Sequence, residues 1–376
     1  MENGYMKHKR KIIPAPGWLV VFTVWMAFLA CRNSTKDEPS FTGREIPVPE
    51  NVSDTLGVMF YNVENLFDTI DDPRHNDNDF LPAGAFLWDG VKYKQKIRNL
   101  ARVIERFARR REAPVIVGLA EVENDRVLRD LTGDSLLRPY QYRFIHYESP
   151  DFRGIDVALL YRPPFKVFYR KPVKVYYDAG RRRRRLRDIL VVGGRVRGDT
   201  LFVVVNHWPS QRKGSRRSEP EREAAARALA RTADALRNKF GRVKILIMGD
   251  FNENPDGKAV QNILHPHRKR TDARGWYAPL THQWNPRRTG SARFHGRWNL
   301  FDQIFVNRPL LVADSAEGGG QWLLLKAGIF RDRILLQGRG IHRSFHGTEF
   351  DPEGFSDHLP VYVLLGYVEN RDKDGK

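Results

Sequence analysis

Four short polar runs carry the residues best suited to chemistry: Tyr61-Asn62-Val63-Glu64-Asn65, Gly118-Leu119-Ala120-Glu121, Gly249-Asp250-Phe251-Asn252 and Ser356-Asp357-His358. The first three end or directly follow an apolar stretch of β type, and the fourth precedes one. Their acids, amides and imidazole are the groups that hold a hard cation and a phosphate. Glu121 ends the apolar run 113–120, and a carboxylate placed there needs a cation or a hydrogen-bond donor. A divalent ion with oxygen ligands is one answer; a lysine or arginine partner is the plainer one. Strand alternation puts Glu123 on the face of Glu121, which makes it a competing ligand. Asn62 closes 58–61 in the same way, either as a neutral ligand, as the orienter of a ligating carboxylate, or as an ordinary turn residue.

Asp250 and Asn252, two apart, point the same way in extended chain. The carboxylate can take a proton from water while the amide donates to a phosphate oxygen, although Gly-Asp-x-Asn is also good turn chemistry. His207 ends the run 201–205 as a phosphate-binding cation or a hydrogen-bonded structural group. Asp302 sits within the apolar segment 299–306, where a buried aspartate needs a partner such as a histidine. Asp357 and His358 offer an acid for metal or water and an imidazole for proton work or transition-state charge.

These runs span almost three hundred residues, so only a folded domain brings them together. Strand-like segments recur at 58–63, 115–122, 142–147, 156–161, 165–177, 189–196, 201–208, 244–248, 301–306 and 359–364. Two segments have helical period, 93–111 and 219–240, the second with Pro220 suited to a first turn and Ser218 or Glu219 beside the cap. Ten strands with few helices between them exclude a simple alternating βα barrel. Two packed sheets with helices outside fit the count, with no repeat and no break that requires a second globular domain.

The formal charge of +19 favours anionic partners. Part of it is local: Arg181 to Arg185 with Arg187 read as a solvated hairpin tip, and Arg212, Lys213, Arg216 and Arg217 form a second run. Lys7, Lys9, Arg10 and Lys11 precede an apolar stretch, 17–30, that is too short for a comfortable span and fits a signal peptide. Phe28-Leu29-Ala30-Cys31 resembles a bacterial lipobox, with Cys31, the only cysteine, as the lipidated first residue. Removing residues 1–30 takes four basic and one acidic residue and leaves +16. Residues 31–54 read as a polar tether, in which Lys36-Asp37-Glu38 resembles a surface-export signal; 55–370 form the catalytic domain and 371–376 a polar tail.

The ordered set Asn62, Glu121, His207, Asp250-x-Asn252, Asp302 and Ser356-Asp357-His358-x-Pro360 resembles the endonuclease/exonuclease/phosphatase superfamily, which includes pancreatic deoxyribonuclease, abasic-site exonucleases and bacterial sphingomyelinases. The resemblance covers about 55–367. It implies an α+β fold, a four-layer α/β sandwich with two packed mixed β-sheets flanked by helices. It also implies Glu121 as the main Mg²⁺ ligand with Asn62 beside it, Mn²⁺ being a substitute. Asp357 would support metal or water, Asp250 would orient or deprotonate the water, and Asn252 and His207 would hold the phosphate. His358 would face the phosphate with Asp302 orienting its ring, and Arg153 would be a further phosphate contact. Ala120 stands where the family usually has glutamine.

Asn62-Val-Glu-Asn-Leu-Phe-Asp68 and Asn206-His-Trp-Pro-Ser210 look most like secreted bacterial nucleases. The expectation is a monomeric, lipid-anchored nuclease of the cell envelope acting on DNA or RNA. The alternatives are a sphingomyelinase-like phospholipid phosphodiesterase or a phosphatase on a small phosphate ester, and a non-catalytic nucleic-acid-binding lipoprotein. Trp276, Tyr277, Trp284 and Trp298 would matter to the lipid reading if they formed an exposed apolar hairpin.

Overall fold

The computed structural model describes residues 51–369, except 181, 273–274 and 314–319. Cys31, Lys36-Asp37-Glu38, the tether up to residue 50 and the tail 371–376 lie outside the described residues. The strands of the two main sheets are β1 (Val52–Leu66), β2 (Ile116–Val122), β3 (Arg143–His146), β4 (Asp156–Tyr161), β5 (Lys166–Ala179), β6 (Arg182–Val196), β7 (Asp199–His207), β8 (Lys244–Asp250), β9 (Trp276–Tyr277), β10 (Asp302–Asn307), β11 (Gln321–Ile329) and β12 (Val361–Val368). The helices are α1 (Gly90–Arg110), α2 (Asp125–Gly133) and α3 (Ser215–Phe240). Strand β1 begins at Val52, so the last residues of the expected tether belong to the domain.

One sheet runs β11-β12-β1-β2-β4-β3 and the other β5-β6-β7-β8-β10-β9. Each is mixed: β1 and β2 are parallel in the first, β7 and β8 in the second, and every other neighbouring pair is antiparallel. Alternation explains the layers. Leu190, Val192, Leu201, Val203, Val205, Leu246 and Met248 face the core shared with the first sheet. The intervening Ile189, Val191, Phe202, Val204, Ile245 and Ile247 pack under Ala225, Leu229, Ala233 and Leu236 of α3. Strands buried on both faces read as continuous apolar runs. Each fully buried side chain of this kind contributes about 1.5–3 kcal/mol. The sheets approach closely at Gly118, where a Cβ would sit 2.5 Å from Met248 Cε.

Helix α1 covers the outer face of the first sheet, Phe107 meeting the rings of Phe330 and Tyr362. Asp89 caps it, accepting from the Val91 and Lys92 amides. The α3 stripe is buried as the periodicity predicts, but the helix starts four residues early. Pro220 therefore lies inside it. Ser218 is not a cap; its hydroxyl donates to Gly214 O and receives Arg222 Nη1 at 2.7 Å. Neither α2 nor β11, nor the two-residue β9, is marked by periodicity in the sequence. The first has nine residues, little more than two turns. The second pairs only with β12 and slips register between Leu324 and Lys326, which breaks its alternation.

Candidate active site

Sheet register gathers the polar runs. The parallel pair β1–β2 sets Asn62 beside Ala120, next to Glu121. The parallel pair β7–β8 sets His207 beside Asp250, and antiparallel β10 sets Asp302 opposite Asp250. The two rims then meet, because Asn62 Nδ2 donates across the sandwich to Asp250 Oδ2 at 3.0 Å and lies 3.4 Å from Glu121 Oε1. Asn62 Oδ1 is taken by the Glu64 amide at 3.0 Å. The Asn62 side chain thus bridges two carboxylates as a donor, the orienting one of its expected roles. Ser356 Oγ donates to Asn62 O at 2.7 Å and receives the His358 amide, which brings in the fourth run.

Glu121 has φ +65, and Glu64, Asn65 and Asn252 are also left-handed. Such residues cost about 1–3 kcal/mol each and persist only where the surroundings over-determine them. Here the Asn65 amide holds Glu121 Oε2 at 2.9 Å. The kink at Glu121 breaks the strand alternation, so the expectation that Glu123 shares its face fails. Glu123 instead accepts the Asp68 amide at 2.6 Å. Burial, aided by Asp68, Asp77 and Asp72, pushes its carboxyl up to about 8.

The buried groups differ sharply in charge. Burial opposes protonation of His358. Asp302, bonded to its Nδ1 at 2.7 Å, with Asp250 and Asp357, outweighs this and holds it well above the ordinary histidine value. His207 goes the other way. Burial, with Arg187 and Arg153 nearby, keeps it neutral. Its Nε2 lies 3.6 Å from Asp250 Oδ2 and 3.9 Å from Glu121 Oε1. This shift favours the neutral imidazole, which suits His207 to hydrogen bonding more than to acting as a cation. Burial raises the Asp250 carboxyl while His358 opposes the rise. Asn252 fixes this corner: its amide N–H bonds Asp250 Oδ1 at 2.8 Å and its side chain donates to Trp208 O at 3.0 Å.

These groups open into a cleft of about 460 Å³, lined by Glu121, His207, Asp250, Asn252, Asp357 and His358 among others. Arg153, Arg184, Arg185, Arg187, Arg212 and Arg293 share the lining. The arginine run is not a solvated tip throughout, since the β5–β6 hairpin lays part of it along the cleft. Arg187 joins both sheets: it bonds His207 O, Trp208 O and, at 2.5 Å, Asp151. Arg153 donates to Asn65 Oδ1 at 3.2 Å. The four aromatics at issue for a membrane hairpin do not form one. Trp276, Tyr277 and Trp298 are buried, and Trp284 packs against the core.

A network beneath the site escaped the sequence reading. Lys96 of α1 is buried and donates to Ser344 Oγ and, at 3.0 Å, to Phe355 O. Buried Glu64 accepts the Ser344 amide at 2.8 Å, and Arg343 bridges Glu64 and Asp357 at 3.2 and 3.3 Å. Burial, reinforced by Asp357, raises Glu64 to about 7, and burial lowers Lys96 to about 8. One signal was legible: Lys96 stands on the apolar stripe of α1, next to Ile97 and three residues from Tyr93.

The donor set fits a hard divalent cation. Glu121, Asp250 and Asp357 place three carboxylates on one cleft wall. A phosphate could not approach them without positive charge between. Glu121 Oε1 has no hydrogen bond closer than 3.4 Å. Asp250, Asp302 and His358 also cluster closely enough to hold an ion. However, the short Asp302–His358 bond occupies Nδ1, and a protonated imidazole has no lone pair to offer.

Two mixed sheets whose rims unite these acids, imidazoles and arginines define the phosphoester-hydrolase class of α/β sandwich. The profile of the Endonuclease/Exonuclease/phosphatase family matches residues 57–367, and the chain belongs to that family. No curated protein sequence matches it. Among solved structures, TDP2 from C. elegans is 16% identical with TM-score 0.50, covering 85% of this chain and 77% of that one. The human Nocturnin catalytic domain is 13% identical with TM-score 0.50, covering 84% and 95%. The mannosyl-6-phosphatase Bt3783 of Bacteroides thetaiotaomicron is 16% identical with TM-score 0.49, covering 82% and 99%. At these identities the likeness to TDP2 and Nocturnin speaks for the fold alone. The family is one of divalent-metal-dependent phosphoric-ester hydrolases.

Proposed function

We propose that the protein is a Mg²⁺-dependent phosphodiesterase that hydrolyses nucleic acid, DNA or RNA. The carrying observation is the six arginines that line the cleft around the catalytic carboxylates. A single phosphate needs one or two cations, whereas a wall of them suits the repeated charge of a polynucleotide. Glu121 and Asp357 would hold the cation, with Asn62 beside it orienting Glu121, and the ion would supply positive charge at the phosphoryl oxygens and lower the pKa of water. Mn²⁺ would serve in its place.

The remaining work falls to the chain itself. Asp250 Oδ2 takes the proton of the attacking water, fixed between Asn62 and His207. His358 presents its charged Nε2 side to the phosphate while Asp302 fixes the ring. Asn252 has a second amide hydrogen for a phosphoryl oxygen, and Arg153 lies on the same wall. We further propose that Cys31 carries lipid and tethers the domain in the cell envelope, outside the cytoplasm, with environmental nucleic acid as its substrate. The supporting features are the basic, apolar and cysteine segments in sequence.

Purified protein should cut plasmid, single-stranded DNA or RNA in Mg²⁺ and fail in EDTA. Activity confined to sphingomyelin vesicles or nucleotide monoesters would refute the reading. A Cys31→Ser variant should lose incorporation of labelled palmitate.

A further inference from the structure

Phe152 is 74% exposed, yet it lies on the cleft wall. Among the described residues the other strongly exposed phenylalanine, Phe168 at 47%, packs its ring on Phe202 and Phe240. Solitary exposed apolar residues are common on surfaces. The backbone at Phe152, however, is held from several sides. The turn Asp151–Gly154 closes with Gly154 N to Asp151 O at 3.1 Å, and Asp151 Oδ1 accepts the Arg153 amide at 2.9 Å. Gly154 has φ +79, and a Cβ there would meet the His75 ring at 2.9 Å. Asn76 N donates to Phe152 O at 2.9 Å.

The side chains on either side tie the turn to the site. Asp151 is held by Arg187, which also grips the end of β7 beside His207. Arg153 reaches Asn65, whose amide fixes Glu121. A hydrophobic ring is thus presented to solvent on a rigid mount, within the arginine wall and one residue from a guanidinium bonded to the carboxylate's own support. This arrangement matches how single strands are gripped, with cations along the phosphates and an aromatic face for a base.

Resting on the nuclease reading above, we infer that Phe152 is a stacking platform for an unpaired base flanking the scissile phosphate. A base within a duplex has both faces covered by its neighbours, so the subsite selects single strands, frayed ends or loops.

The test uses the full chain and two single-stranded oligomers of equal length, oligothymidylate and an oligomer of abasic units with the same phosphates. The wild type should cut the base-bearing strand with kcat/KM about five- to a hundredfold higher, the effect of one base–aromatic stack. Phe152→Ala should bring that ratio towards one, mainly through KM, and Phe152→Trp should preserve it. If the wild type cuts both strands equally, or Phe152→Ala keeps the wild-type ratio, the stacking subsite is wrong while the nuclease reading stands. If neither strand is cut, both fall.

Discussion

The Asp302→Asn substitution isolates the charge on His358. The two side chains meet at 2.7 Å and are almost wholly buried, so solvent screens them little. With charge centres about 4 Å apart and an effective dielectric near 20, their attraction is about 4 kcal/mol. The isosteric amide recovers about 1 kcal/mol if it can accept the Nδ1 hydrogen bond. The net loss of about 3 kcal/mol lowers the His358 pKa, leaving Asp250 and Asp357 as the anions that still oppose burial. Burial opposes the charge throughout, so the variant's imidazole should give up its proton at a lower pH than the wild type's. Turnover of bis(p-nitrophenyl) phosphate should then fall about a hundredfold at pH 8. The gap should narrow towards pH 5.5, where the imidazole regains its proton.

Stability should move in the opposite sense. A raised histidine pKa contributes stability that is complete below the ordinary value of 6.5 and is lost as pH rises through the elevated one. The difference in melting temperature between wild type and variant should therefore be widest below pH 6.5 and shrink in alkali. Turnover within about threefold of wild type across this range would refute the idea that Asp302 keeps His358 charged for catalysis.

Lys96→Met leaves Glu64 with Arg343 as its remaining cation and strips the Ser344 hydroxyl and Phe355 carbonyl of a buried donor, a loss of about 1–3 kcal/mol in denaturant titrations. Adding Glu64→Gln should recover much of that loss. Replacing by serine both Arg184, whose partner Glu221 lies on α3, and Arg185, whose partner Asp188 lies on β6, should weaken nucleic-acid binding. It should also flatten the salt dependence by about one to two in log–log slope. Glu123 is raised to about 8, so its contribution to stability is complete below about 4.5 and fades as pH climbs to 8, by at most about 1.4 kcal/mol per pH unit. Glu123→Gln should flatten that decline in melting temperature measured against pH.

Much of the frame was legible because buried strands announce themselves as apolar runs, although β5, with only Val175 buried, was marked by its β-branched and aromatic residues instead; ten such segments mark ten of the twelve sheet strands. The site was legible for a related reason. Polar residues at the ends of such runs have few structural uses, and Asn62, Glu121, His207, Asp250, Asp302 and His358 do converge. What escaped was set by backbone conformation and by long-range partners. The left-handed turn at Glu121 removes Glu123 from the cleft, which a strict period of two cannot foresee. The neutrality of His207 comes from burial beside Arg153 and Arg187, residues 54 and 20 positions away in sequence. Arg184 and Arg187 looked like solvated charge because only the length of the β5–β6 hairpin carries them over the cleft.

The central claim is that Glu121 holds the divalent cation on which phosphodiester hydrolysis depends. Calorimetric titration with Mg²⁺ and cleavage of labelled DNA should be run together on wild type and Glu121→Ala. The account predicts saturable Mg²⁺ binding and cleavage abolished by EDTA in the wild type. In the variant it predicts weakened Mg²⁺ binding and hydrolysis reduced by at least about a thousandfold, about 4 kcal/mol of transition-state stabilisation, with metal-free DNA binding retained. Wild-type turnover by Glu121→Ala, or wild-type turnover in EDTA, would contradict it.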